Sequence, residues 1–148
     1  MTPIETHVQR MLDSYRHWTG RELIARSGNS ATDAATLFDA PFVIVSHGTE
    51  ANPILNYGNR AALNLWELDW EHLTKMPSRE TAEPMHRDER DRFMASVRRD
   101  GFLSNYSGIR IASSGKRFRI ENALIWNLLD ENGAICGQAA TFSSWTPV

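Results

Sequence analysis

Between Thr6 and about Ile24, the apolar residues Val8, Met11, Leu12, Tyr15 and Trp18 recur at spacings of three and four, with Gln9, Arg10, Asp13 and Arg16 between them. This periodicity predicts an amphipathic helix with one buried stripe. Gly20 is a candidate interruption, and "RSGNSATD" reads as a turn leading into a short capped helix that stops before Pro41. "PFVIVSH", residues 41–47, is β-branched and almost continuously apolar, which predicts a strand buried on both faces. After the turn "GTEANP" a second strand, "ILNY", ends at Gly58. The period then becomes helical: Ala62, Leu63, Trp66 and Trp70 fall on one side, with Asn59 placed to cap the first helix and Asp69 a second short one.

"PSRETAEP", residues 77–84, is an irregular segment between two prolines. "HRDERDRFMASVRRDG" predicts a longer helix with Phe93, Met94 and Val97 inward, a solvated charged face outward and Gly101 at its end. Three strand-like runs follow, "FLSNYSGIRIA", "KRFRIENALIWNLL" and "AICGQAATFSSW", separated by the hairpin turn signals "SSG" and "DENG". In the middle run, alternation assigns Phe118, Ile120, Leu124, Trp126 and Leu128 to the core face. Arg117, Arg119, Glu121 and Asn127 fall on a wetter face, which Ala123 and Ile125 mark as partly covered; the N-terminal helix is available as that cover. Two helices, two strands, a run of helices and three antiparallel strands make an α+β domain with helices packed on one sheet.

Composition narrows the chemistry. The 148 residues suit one domain, and the formal net charge of −2 provides no global field to draw in nucleic acid or an anionic membrane. One cysteine, Cys136, allows no internal disulfide and reads as a small apolar filler on the last strand. No paired Cys/His zinc motif, secretory h-region or run of about 18 apolar residues occurs, so the expectation is a cytoplasmic protein with no metal site.

"ILNYGNRAALNLWELDWEHL" resembles the second strand of a PAS domain running into its first helix, "HRDERDRF" the start of the long PAS helix, and "GKRFRIENALIWNLLDENGAICGQAATFS" the closing hairpin. "HWTGREL", "APFVIVSHGTE", "NYGNRAALNLWE", "PSRETAEP" and "GQAATFSSW" are more specifically similar to the MEKHLA domain. That PAS-like domain occurs alone in bacteria and at the C-terminus of plant class III homeodomain leucine-zipper proteins. The resemblance implies a five-stranded antiparallel sheet with helices on one face, over residues 38–148, preceded by a helical extension, 1–37. It implies a module that binds small molecules or partners, and no particular reaction.

Candidate ligand-binding residues are Tyr57, Trp66, Ser78, Arg79, Glu83, Tyr106, Phe118 and Trp126, around a pocket between the sheet face of Phe118 and Trp126 and the segment 59–84. Arg79 is suited to grip a carboxylate or phosphate, or else to pair with Glu83. Asn59 reads as a structural cap and His47 as the holder of a turn. A flavin of the light-oxygen-voltage (LOV) type would need a cysteine within 70–84, where none occurs, and His86 reads as a solvent-facing helix-start residue rather than a haem ligand. Tyr57, Tyr106, Asp69, Glu83 and His86 could serve an acid/base enzyme, the second reading, but no catalytic order joins them. The first reading is a sensory or interaction module that binds a small organic ligand or a protein and signals as a homodimer through the N-terminal helix.

Overall fold

A computed structural model describes all residues, Met1–Val148. Thr2 caps helix α1 (Pro3–Thr19) by accepting from the Glu5 N–H, and Gly20 ends it in a left-handed conformation, φ 73°. That glycine stops the helix short of Ile24. Asn29 caps α2 (Ser30–Phe38). The hairpin β1 (Val43–His47) and β2 (Leu55–Gly58) follows, then α3 (Arg60–Trp66) and α4 (Trp70–Leu73), capped by Asn59 and Asp69 as their positions predict. "PSRETAEP" contains a 3-10 turn, Ser78–Thr81, before the long helix α5 (Pro84–Asp100). Strands β3 (Phe102–Ile111), β4 (Arg117–Leu129), β5 (Ile135–Phe142) and β6 (Ser144–Pro147) complete the chain.

The sheet is antiparallel throughout and runs in the order β2-β1-β5-β4-β3. Strand β6 continues the line of β5 along β4, pairing Phe118 with Pro147 and Glu121 with Ser144. The fold is therefore the five-stranded antiparallel α+β architecture expected, with one strand extended.

Two apolar cores lie on opposite faces of this sheet. One gathers Val43, Ala62, Trp66, Val97, Tyr106, Phe118, Ile120, Ala123, Ile125 and Phe142 beneath α3 and α5. The other gathers Val8, Met11, Leu12, Leu37, Ile44, Tyr57, Trp126 and Leu128 beneath α1 and α2. The N-terminal helix is thus the cover of the second face, and its apolar stripe is used within the chain.

Strict alternation along β4 fails at one residue. Asn122 adopts φ 52°, and the β3–β4 register shifts between Tyr106 and Gly108, opposite it. This bulge inserts a residue, so the faces exchange: Phe118 and Ile120 share a core with Ala123 and Ile125, whereas Leu124, Trp126 and Leu128 belong to the other. Phe118 and Trp126 therefore do not share a face, contrary to the alternation argument. Asn127 is not on a wet surface either; it is 1 % exposed. Its amide donates to the Val97 and Arg98 carbonyls, and Gln138 donates to the Met94 carbonyl and Asn127 Oδ1, so both close the C-terminal end of α5 against the sheet.

Asn59 does more than cap. Its Oδ1 accepts from the N–H groups of Ala62 (3.1 Å) and Ile44 (3.2 Å), while its Nδ2 donates to the carbonyls of Phe42 (2.8 Å) and Leu37 (3.2 Å). One fully buried amide thereby ties the end of α2, the start of β1 and the first turn of α3.

Candidate ligand pocket

Under α3 and α5 the first core is incompletely filled. A small cavity, with ≈ 50 Å³ open to the centre of a water-sized molecule, is lined by apolar Val45, Leu55, Trp66, Met94, Ile120, Ile125 and Phe142 and by polar His47, Ser78, Arg90, Tyr106, Arg110 and Gln138. That is room for a few waters or the head of a small ligand. It shares His47, Arg90, Met94 and Gln138 with a larger outer hollow of ≈ 300 Å³ beside the β1–β2 turn.

Three expected residues meet here: Trp66 from α3, Ser78 from the 3-10 turn and Tyr106 from β3. Phe118 stands behind Trp66, edge to face at 5.5 Å between ring centroids, and supports the wall. Tyr57 and Trp126 lie across the sheet, packed edge-on against Trp70 and Tyr15. Trp66 and Trp70 accordingly serve different cores.

The Arg79–Glu83 pairing does not form. Arg79 lies 3.7 Å from Asp91 at the rim of the outer hollow, and Glu83 forms an ion pair with Arg117 of β4 at 2.8 Å. His86 is half-buried rather than solvent-facing, and its Nε2 is buried without a partner.

The two most consequential residues are arginines. Arg90 is 7 % exposed and Arg110 6 %, although Arg90 belongs to a helical run whose charge reads as a solvated face and Arg110 to a strand-like run that gives it no role. Arg90 falls at the helical spacing of Phe93, Met94 and Val97, so the buried stripe of α5 begins one turn earlier than its apolar residues indicate. In β3, Tyr106, Gly108 and Arg110 alternate onto one side, and a Cβ at position 108 would stand 2.6 Å from Tyr106 Oη and 2.9 Å from Arg110 Nη1. The glycine lets both side chains fold over it. Arg90 donates to Ser78 Oγ, while Arg110 donates to Tyr106 Oη and the Ile109 carbonyl, each at 2.9 Å. Burial, reinforced by the neighbouring charge of Arg110, pushes the Arg90 guanidinium down to about 10.

His47 holds its turn through a contact of 2.9 Å between Nδ1 and the Gly48 carbonyl, which fixes Nδ1 as the donor. Burial lowers its basicity, so the ring is neutral at physiological pH and its Nε2 is an acceptor. That Nε2 and the Trp66 Nε1–H are both buried without partners.

The MEKHLA domain model matches residues 5–147. The chain belongs to the MEKHLA domain family. Over 146 residues it is 26 % identical to the Arabidopsis thaliana homeobox-leucine zipper protein ATHB-9; the alignment covers 95 % of this chain and 17 % of that protein's length. Among solved structures, the PAS domain of a Colwellia psychrerythraea protein superposes with a TM-score of 0.66 at 16 % identity, covering 81 % of this chain and 98 % of the other. A light-oxygen-voltage domain studied with a flavin analogue superposes at 0.62 and 12 % identity, covering 80 % and 84 %. A PAS domain from a two-component sensor histidine kinase superposes at 0.59 and 17 % identity, covering 77 % and 91 %. The MEKHLA fold is therefore PAS-like. No helix in it is long and apolar enough to cross a membrane.

Proposed function

We propose that this MEKHLA domain is a sensory module whose input is a small molecule held between the sheet and helices α3 and α5. The observation that carries the reading is the cavity itself, two of whose lining residues, His47 and Trp66, have ring nitrogens buried without partners. Such orphaned groups cost stability unless a water or a ligand satisfies them. Native mass spectrometry of freshly purified protein tests this. A bound molecule appears as excess mass that denaturation removes; a native mass equal to the sequence mass, with no small molecule restoring the excess, overturns the reading.

The output is a change in association with a second copy of the chain. Strand β4 supports it, because Ile120 and Ile125 line the cavity while Leu124, Trp126 and Leu128 carry α1 on the opposite face. A shift of β4 on ligand binding therefore reaches α1 directly. Since the apolar stripe of α1 faces inward, a dimer built through this helix uses its polar outer side. Sedimentation velocity showing only monomer at every concentration, with and without bound molecule, would count against this step.

A further inference from the structure

We propose that the molecule held in the cavity is a small organic acid whose carboxylate sits between Arg90 and Arg110. This rests on the reading of the cavity as a ligand pocket and names the chemistry of its occupant.

The cavity wall contains two buried guanidinium groups and no carboxylate. Arg110 reaches only neutral oxygens. The one acid that forms an ion pair with Arg90 is Asp91, at 3.3 Å, with a side chain 47 % exposed and shared with Arg79; Glu89, which borders an outer hollow with Arg90 and Arg110, pairs with neither. Buried charges are otherwise paired, because an uncompensated ion in a low-dielectric site loses its hydration for nothing.

The hydroxyl groups sharpen the argument. Ser78 Oγ and Tyr106 Oη each accept from an arginine, which leaves each hydroxyl hydrogen free to donate, and neither has an acceptor within the chain. Both residues are buried. Two guanidinium groups, two hydroxyls and the Trp66 N–H thus form a surplus of donors around one small space, in which His47 Nε2 is the orphaned acceptor. An anion with several lone pairs matches that surplus, and the planar fork of arginine suits a carboxylate. The predominantly apolar remainder of the wall suits the carbon skeleton of an organic acid better than a phosphate dianion.

The test is thermal denaturation and calorimetric titration with matched probes at constant ionic strength. The pairs are acetate with acetamide and benzoate with benzamide, with inorganic phosphate as a separate arm, and any molecule released by denaturing the native protein is identified by mass. The expected result is that a carboxylate binds and raises the melting temperature while its amide does not. Arg110→Met, folded by circular dichroism, then weakens that binding roughly tenfold or more. Should Arg110→Met fail to fold, Arg110→Lys retains the charge without the fork and is expected to weaken binding in the same direction. An amide that binds as tightly as its acid, a phosphate that binds where no carboxylate does, a neutral co-purifying molecule, or an arginine variant with undiminished carboxylate affinity overturns this inference and leaves the pocket reading standing. No response to any probe, together with a native mass equal to the sequence mass, overturns both.

Discussion

Replacing Asn59 with alanine separates a helix cap from a structural hub. A side chain that only capped α3 would cost about 1 kcal/mol when truncated. Asn59, with 0 % exposure, instead makes hydrogen bonds to Ile44, Ala62, Leu37 and Phe42. Each is worth about 1 kcal/mol net, and a buried partner left unsatisfied costs about 1–3 kcal/mol. Allowing for relaxation and water entry, Asn59→Ala is expected to lose about 4 kcal/mol. With a urea dependence of about 2 kcal/mol per molar, the unfolding midpoint should fall by about 2 M at unchanged slope. Asn59→Asp retains the acceptors for Ile44 and Ala62 but cannot donate to Leu37 and Phe42, so its loss should lie nearer to that of alanine than to wild type. A loss of about 1 kcal/mol for Asn59→Ala, with the slope unchanged, would refute the hub and return Asn59 to the role of a cap.

The bulge in β4 and the buried histidines supply two further tests. Asn122→Gly should leave the urea midpoint nearly unchanged, because glycine adopts φ 52° freely, whereas Asn122→Val should cost about 1–2 kcal/mol; equal stability of the two variants would sink the bulge argument. His7, a residue of α1, lies with its Nε2 2.8 Å from Ser46 Oγ of β1, and burial, aided by Arg10, lowers its pKa from 6.5 to about 4. The unfolded chain therefore binds the proton first, so stability is retained above pH 6.5 and lost as the pH falls toward 4. Between pH 7 and pH 5 this one group contributes a loss of about 2 kcal/mol, and His7→Gln should flatten that part of a urea-midpoint profile. His47, also lowered by burial, adds a loss of the same sign that the variant leaves in place. A profile for His7→Gln as steep as that of wild type would show that His7 is not the group responsible.

Local chemistry made the elements legible. Thr2, Asn29, Asn59 and Asp69 are residues that cap helices wherever the chain offers them free N–H groups, and each does so here. The hairpin signals and the apolar runs located every strand up to Phe142, and the "NYGNRAALNLWE" and "GQAATFSSW" stretches carried the MEKHLA resemblance. Trp66, Ser78 and Tyr106 come to line one cavity because they sit on, or next to, those well-signalled elements.

What local pattern could not decide was which distant groups meet. One residue in the left-handed region, Asn122, reversed the faces of β4 and sent Trp126 away from Phe118; parity arguments fail wherever a single extra residue is inserted. Arg79 and Glu83 found partners on α5 and β4 rather than each other, since surface ion pairs follow tertiary proximity. Arg90 and Arg110 are the clearest case. Sequence determines their charge, but only the packing of α5 against β3 removes their water and leaves two cations and two free hydroxyls facing a cavity without a carboxylate. Burial is a property of the assembled layers, and it turns two ordinary arginines into a candidate binding site.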